Sequence, residues 1–238
     1  MTQLLSCKNL VSGYLNRPVL NGVSIEIPQQ GVLALIGPNG HGKTTLLRTL
    51  SGYLPLRQGK ITFDGQDASR MSVQKRVQAG LLHVPQGDQL FTEMTVEDNL
   101  LMGAYLASDK AEIAQRLADA YQLFPKLKDR RNQLASGLSA GERRMVEIGR
   151  GLMSDARLIM LDEPSLGLAP LVIERIYVAL DQLRSRGKAF LEVEENPSRL
   201  MHFADRLCLM DAGHIVWQGS AAEARDSGDI LKTYLGGH

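Results

Sequence analysis

Apolar residues run unbroken from Val32 to Ile36 in "GVLALIG" and again in "RLIMLDEP", yet between residues 113 and 124 they recur every three or four places. Unbroken short runs bounded by glycine or charge read as strands buried on both faces, and the three-four spacing reads as one face of a helix. The first run enters a glycine-rich loop and then "KTTLLRTLSGYL", so the order there is strand, loop, helix. Ahead of it, "VSGYLNRPVLNGVSIEI" carries β-type runs broken by Asn-Arg-Pro and Asn-Gly, the signals of a small antiparallel element. "GKITFDGQD" predicts a hairpin and "GLLHVPQ" a strand.

From residue 95 to about 135 the pattern becomes helical. Thr95 and Asp98 form a capping pair, and Ile113, Leu117, Ala120, Tyr121 and Phe124 share one face. The period continues through Met145, Ile148, Leu152 and Met153, after which "RLIMLDEP" resumes the strand pattern. Leu171 to Arg186 predicts an amphipathic helix stopped by Gly187, "KAFLEVEE" a strand, and "RLCLMDAGHIVWQG" a hairpin. Strands alternating with helices imply an α/β fold with a mostly parallel sheet covered on both faces. The expectation is one domain over residues 1–238, with an N-terminal antiparallel β element and an inserted helical subdomain at about 90–150.

Composition narrows the partners. With 27 Lys and Arg against 26 acids the net charge is +1, so no global field points to nucleic acid or an anionic membrane surface. The two cysteines, Cys7 and Cys208, are far apart without metal-ligand spacing and read as reduced packing residues. The first residues lack a long apolar leader, and no run is long enough to span a bilayer.

The strongest chemical signal is "GPNGHGKTT": Gly37, Pro38, Asn39, Gly40, His41, Gly42, Lys43, Thr44 and Thr45 fit G-x-x-x-x-G-K-[ST] between a buried strand and a helix. Glycines let backbone N–H groups approach phosphate oxygens, the helix start adds a positive dipole end, Lys43 reaches the β and γ phosphates, and Thr44 can ligate magnesium. Asp162 and Glu163 end the second apolar strand. Asp162 is assigned to magnesium, and Glu163 to the attacking water as base or orienter. Gln86 can reach the same metal from a neighbouring strand. In "LSAGERRMVEIGR", Ser139 and Glu142 make a capping box that is a complete local explanation; the functional alternative is that Ser139 and the Gly141 backbone offer a second phosphate-binding helix start.

Taken together these motifs resemble the ATP-binding subunit of an ABC transporter: "GPNGHGKTT" its Walker A, "VPQ" its Q-loop, "LSAGE" its signature, "LIMLDEP" its Walker B, and Tyr14 in "VSGY" the aromatic that stacks on adenine. "YQLFPKLKDRR", "EPSLGLAP" and the terminal "YLGG" are similar to the second ATPase subunit of branched-chain amino-acid importers, the LivF type. The resemblance implies ATP and Mg2+ as cofactors and an ATP-dependent pair of ATPase subunits, identical or not. In it the signature, Ser139, Ala140, Gly141 and Glu142, would close on the partner's nucleotide. It also implies a separate membrane permease, an external solute-binding protein, no nucleic acid, and a place on the cytoplasmic face of the cell membrane. Urea or short-amide importer ATPases, or a regulatory ATP-binding subunit with weak hydrolysis, are the alternatives.

Departures from the family pattern are Ala140 for a glycine, Glu142 for glutamine and Ala169 for the D-loop aspartate. By count from the "ADR" segment, Glu195 takes the switch position, where this subgroup has an amide. Glu192 falls where relatives are apolar, and the sequence offers no account of it.

Overall fold

The computed structural model describes residues 2–226 apart from Asn16, Asp88 and Asn196; the terminal "YLGG" lies outside the described residues. The chain opens with β1 (Gln3–Tyr14) and β2 (Arg17–Pro28), which pair antiparallel. β3 (Val32–Ile36), buried at all five positions, leads through the glycine-rich loop to α1 (Lys43–Ser51). β4 (Leu56–Phe63) and β5 (Gln66–Asp67) return to the first sheet as a hairpin, giving the order β2-β1-β4-β5. Then come α2 (Val73–Gln78) and β6 (Leu81–Val84), followed by the helical stretch α3 (Val96–Met102), α4 (Lys110–Leu123), α5 (Pro125–Asp129) and α6 (Ala140–Leu152). The chain continues through β7 (Leu158–Asp162), α7 (Pro170–Ser185), β8 (Ala189–Glu194), α8 (Pro197–Phe203), β9 (Arg206–Asp211), β10 (His214–Ser220) and α9 (Ala221–Asp226).

The second sheet has the order β10-β9-β3-β8-β7-β6, parallel throughout except for β10 at its edge. Because side chains alternate across a strand, β3 feeds two cores at once. Leu33 and Leu35 pack with α1 and the antiparallel sheet, while Val32, Ala34 and Ile36 face the layer of helices. Leu100, Phe124 and Leu127 of the helical stretch share that second core with Ile159 and Leu180. Apolar burial therefore runs continuously from the helical stretch into the parallel sheet.

Parallel order puts the carboxyl ends of β3, β8, β7 and β6 side by side, which is where open α/β sheets hold ligands. Gly37, Glu195, Asp162 and Gln86 are the residues at or just beyond those four ends. The same edge gathers the segments singled out above by chemistry.

The strands and long helices expected from the pattern are present, and the Thr95–Asp98 capping box forms at α3. Cys7 and Cys208 are free and buried, and burial pushes both thiols up to about 12, which leaves them inert. Three short helices were not expected. α2 is a hexamer whose only buried residue is Arg76, so it has no apolar period to read; Ser72 caps it, accepting from the Lys75 amide at 3.3 Å. In α8 the Asn-Pro pair reads as a turn, but proline suits the first position of a helix, where its missing N–H costs nothing. α9 spans only six residues. Among the described residues no helix is long and apolar enough to cross a membrane.

Candidate active site

The loop after β3 is shaped by its glycines. Gly37 (φ 154°) backs onto β9 so closely that a Cβ would sit 2.2 Å from the Met210 carbonyl oxygen, and Gly42 (φ 109°) is the N-cap of α1. α1 starts with no side-chain cap and no acid in its first turn, which leaves its first N–H groups and dipole end available to an anion. Lys43 is 6% exposed, and its ammonium donates to the Gly37 and Pro38 carbonyls at 2.7 and 3.1 Å. Burial lowers its pKa, opposed by the negative charges of Glu163, Glu195, Asp162 and Glu194. Lys43 therefore sits among four carboxylates.

Asp162 ends β7 with no exposed surface. Thr44 donates to its Oδ1 at 3.2 Å, and its Oδ2 is buried with no partner among the described residues. Burial raises the carboxyl, against the Thr44 bond and the charges of Arg144, Arg48 and Lys43. A hydroxyl and an acid with one orphaned oxygen make an oxygen donor set that fits magnesium. The adjacent Glu163 is 8% exposed, so neither acid is a solvated loop residue. Its backbone is in the left-handed region (φ 49°), and its amide donates to the Val193 carbonyl of β8 at 2.9 Å. Burial, reinforced by Glu194, Asp162 and Glu195 and opposed by Lys43, brings the Glu163 carboxyl up to about 6. It is charged at neutral pH yet close to the point of taking a proton, which suits a base.

Gln86 lies two residues beyond β6, exposed, and lines a 240 Å³ cavity with Ala140, Arg143, Arg144, Glu147 and Glu163. Ser139 caps α6: the Glu142 amide donates to its Oγ at 3.3 Å, and the Glu142 carboxylate accepts from the Ser139 amide and hydroxyl at 3.0 and 2.8 Å. Burial alone would raise Glu142, but those bonds, with Arg130 and Lys126, hold it below the usual range. Gly141 has a packing reason of its own, since a Cβ would meet Val172 of α7 at 2.6 Å. Ala140 is exposed at the head of the helix. Tyr14 closes β1, 41% exposed, and its hydroxyl accepts from Arg48 of α1 at 3.0 Å. His41 is drawn to the β9–β10 turn, with Nδ1 2.7 Å from Asp211 Oδ1. Glu195 occupies the exposed bend after β8.

Two residues to which the sequence assigns no role, Arg144 and Glu194, tie the motifs together. Arg144 is 7% exposed and donates to the Pro85 carbonyl (3.0 Å), to Glu147 (2.9 Å) and to the Asp162 carbonyl (3.1 Å). It joins α6 to the ends of β6 and β7. Glu194 accepts from the Ser165 amide at 3.0 Å and so holds the turn after Glu163. Arg144 and Glu147 lie i, i+3 on a helix, where such pairs look like a solvated surface pair; nothing in the sequence says that the chain covers them.

The geometry accords with known proteins. The "ABC transporter" family model matches residues 20–166. The high-affinity branched-chain amino acid transport ATP-binding protein BraG of Pseudomonas aeruginosa is 36% identical, covering 98% of this chain and 100% of that protein. The lipopolysaccharide export system ATP-binding protein LptB of Haemophilus influenzae is 32% identical over 98% of this chain and 97% of its own length. Among solved structures, the ADP conformation of an ATP-binding cassette of an ABC transporter matches with a TM-score of 0.88 at 27% identity, covering 100% of both chains.

Proposed function

Because this chain belongs to the ABC transporter family and is an ATPase, we propose that it powers an importer of branched-chain or other hydrophobic amino acids, acting on a separate permease from the cytoplasmic side of the membrane. The observation that carries the ATPase chemistry is the edge formed by β3, β7 and β8, where Lys43, Thr44, Asp162 and Glu163 converge. Lys43 and the α1 amides bind the phosphates, and Tyr14 stacks on the base. Thr44 and Asp162 would hold magnesium, with Gln86 near the end of β6 as a further oxygen donor; the ion would offset phosphate charge. Glu163 positions the attacking water and receives its proton. Ser139, Ala140 and Gly141 offer the start of α6 to the nucleotide of a second copy or of a related ATPase subunit.

A cavity of 460 Å³ supports the permease partner. Tyr53, His83, Phe91, Met102 and Tyr105 line it between β6 and the helical stretch. Tyr105 is 81% exposed and Tyr53 64%, a large aromatic surface for a lone subunit to leave in water. Burial brings His83 down to about 4, so its ring adds no charge to this aromatic surface at neutral pH, which suits an amphipathic helix. Glu147 and Arg150 of α6 border the same cavity and grip the Gln89 backbone on both sides, at its amide and its carbonyl, each at 2.8 Å. A helix seated there would press on the segment that leads back to Gln86.

The amino-acid cargo rests on the likeness to BraG across 98% of this chain and 100% of that protein. Deleting the gene should remove high-affinity uptake of labelled leucine, isoleucine and valine, and wild-type protein but not Glu163→Gln should restore it. Intact leucine uptake with loss of urea uptake, or with failed lipopolysaccharide export, contradicts the assignment.

A further inference from the structure

Glu192 has no exposed surface. In register it lies between Ala34 of β3 and Leu161 of β7, on the face of β8 that also carries Phe190 and Glu194. Its Oε1 accepts the phenolic hydrogen of Tyr177, on α7, at 2.5 Å, and its Oε2 is buried with no partner among the described residues. An apolar side chain would fill the position without an orphaned oxygen, so added stability does not explain the carboxyl.

The two elements that this bond joins hold the catalytic segment from its opposite ends. β8 takes the Glu163 amide on the Val193 carbonyl (2.9 Å) and the Ser165 amide on Glu194 (3.0 Å). At the other end the segment runs into α7, with Ala169 as its N-cap. Glu163, left-handed at φ 49°, depends on such contacts to stay in place. The phenol is itself held: Tyr177 packs edge-on against Phe203 of α8 at 5.7 Å, and Phe203 against Phe190 at 5.3 Å.

We propose that Glu192 is a positioning residue for ATP hydrolysis: its bond to Tyr177 fixes the spacing of β8 and α7, and so the placement of Glu163 toward the attacking water. This rests on the reading of Glu163 given above. The tie functions with Glu192 neutral. Burial pushes its carboxyl up to about 8, with Glu194 on the same strand adding to the rise and the Tyr177 bond and Arg144 of α6 opposing it. The neighbours in register from β3 and β7, Ala34 and Leu161, carry no charge, and α8 presents Phe203 to the cluster. Ionised, Glu192 would set a second negative charge beside Glu194 in a dry layer and force the layer to admit water.

The test is steady-state ATP hydrolysis by the full-length chain between about pH 6 and about pH 9.5. Tyr177→Phe and Glu192→Leu should each lower kcat by about tenfold with KM for ATP unchanged, the scale of a small misplacement of a catalytic group. Wild-type kcat should fall as pH rises through about 8. Glu192→Gln, which keeps the shape and the bond to Tyr177, should retain kcat at neutral pH and lose the alkaline fall. Thermal unfolding and affinity for a non-hydrolysable ATP analogue, measured on the same samples, separate misfolding from misplacement. Tyr177→Phe, which removes a single hydroxyl, decides the matter if Glu192→Leu does not fold. Wild-type kcat in Tyr177→Phe, or an alkaline fall that persists in Glu192→Gln, overturns the proposal. Failure of the Glu163 reading would show separately, as full turnover in Glu163→Gln.

Discussion

Glu163→Gln should bind Mg-ATP as tightly as wild type and hydrolyse it at least about 100-fold more slowly, the usual scale for losing a positioned base. The amide keeps the shape of the side chain, and the Glu163 backbone contact to Val193 is untouched, so the turn stays where it is. What is lost is a carboxyl that is both buried and poised near neutrality, held at about 6. A base works only when deprotonated. Wild-type turnover should therefore fall as pH drops below about 6, while the residual rate of Glu163→Gln should lack that acid limb. Single-turnover hydrolysis alongside equilibrium nucleotide binding checks both halves of the statement.

Lys43→Ala acts one step earlier and should weaken ATP binding by about 100-fold or more, the effect of losing about two charge-assisted hydrogen bonds at 1.5–3 kcal/mol each. The ammonium lies among Glu163, Glu195, Asp162 and Glu194, so removing it also leaves those charges uncompensated against an incoming triphosphate. Titration of a fluorescent ATP analogue measures the loss. Near-normal affinity would mean that the α1 amides hold the phosphates without the lysine. Because Lys43 also bonds the Gly37 and Pro38 carbonyls, circular dichroism on the same sample confirms that the loop change has not unfolded the domain.

What could be read from the sequence was whatever a contiguous stretch must contain. A buried strand built from an unbroken apolar run shows in the sequence, so β3 and the first four residues of β7 announce themselves, and a phosphate loop has to supply its glycines and lysine in one run. Contacts made across the fold leave no such trace. Arg144 reaches the Pro85 and Asp162 carbonyls from a helix face that reads as solvent-exposed. Glu194 looks like one more charge in an acidic cluster until the Ser165 amide is found on it. Glu192 reads as an error in an apolar strand because its partner, Tyr177, lies on a preceding helix fifteen residues earlier. His41 likewise meets Asp211, 170 residues away.

A composite site would share one nucleotide between the loop at α1 and the start of another subunit's α6. Within a single chain the Ser139 hydroxyl and amide are already bonded to Glu142, so the structure of α6 alone gives a full local reason for them. The composite reading requires more: a triphosphate must bring two chains together, and a bulky cation at Ser139 must keep them apart. Sedimentation velocity of Glu163→Gln with ATP and magnesium measures this directly. The account predicts a dimer with ATP, a monomer without it, and a monomer with ATP once Ser139→Arg is added. A monomer under all conditions, or a dimer that persists with Ser139→Arg, would contradict it.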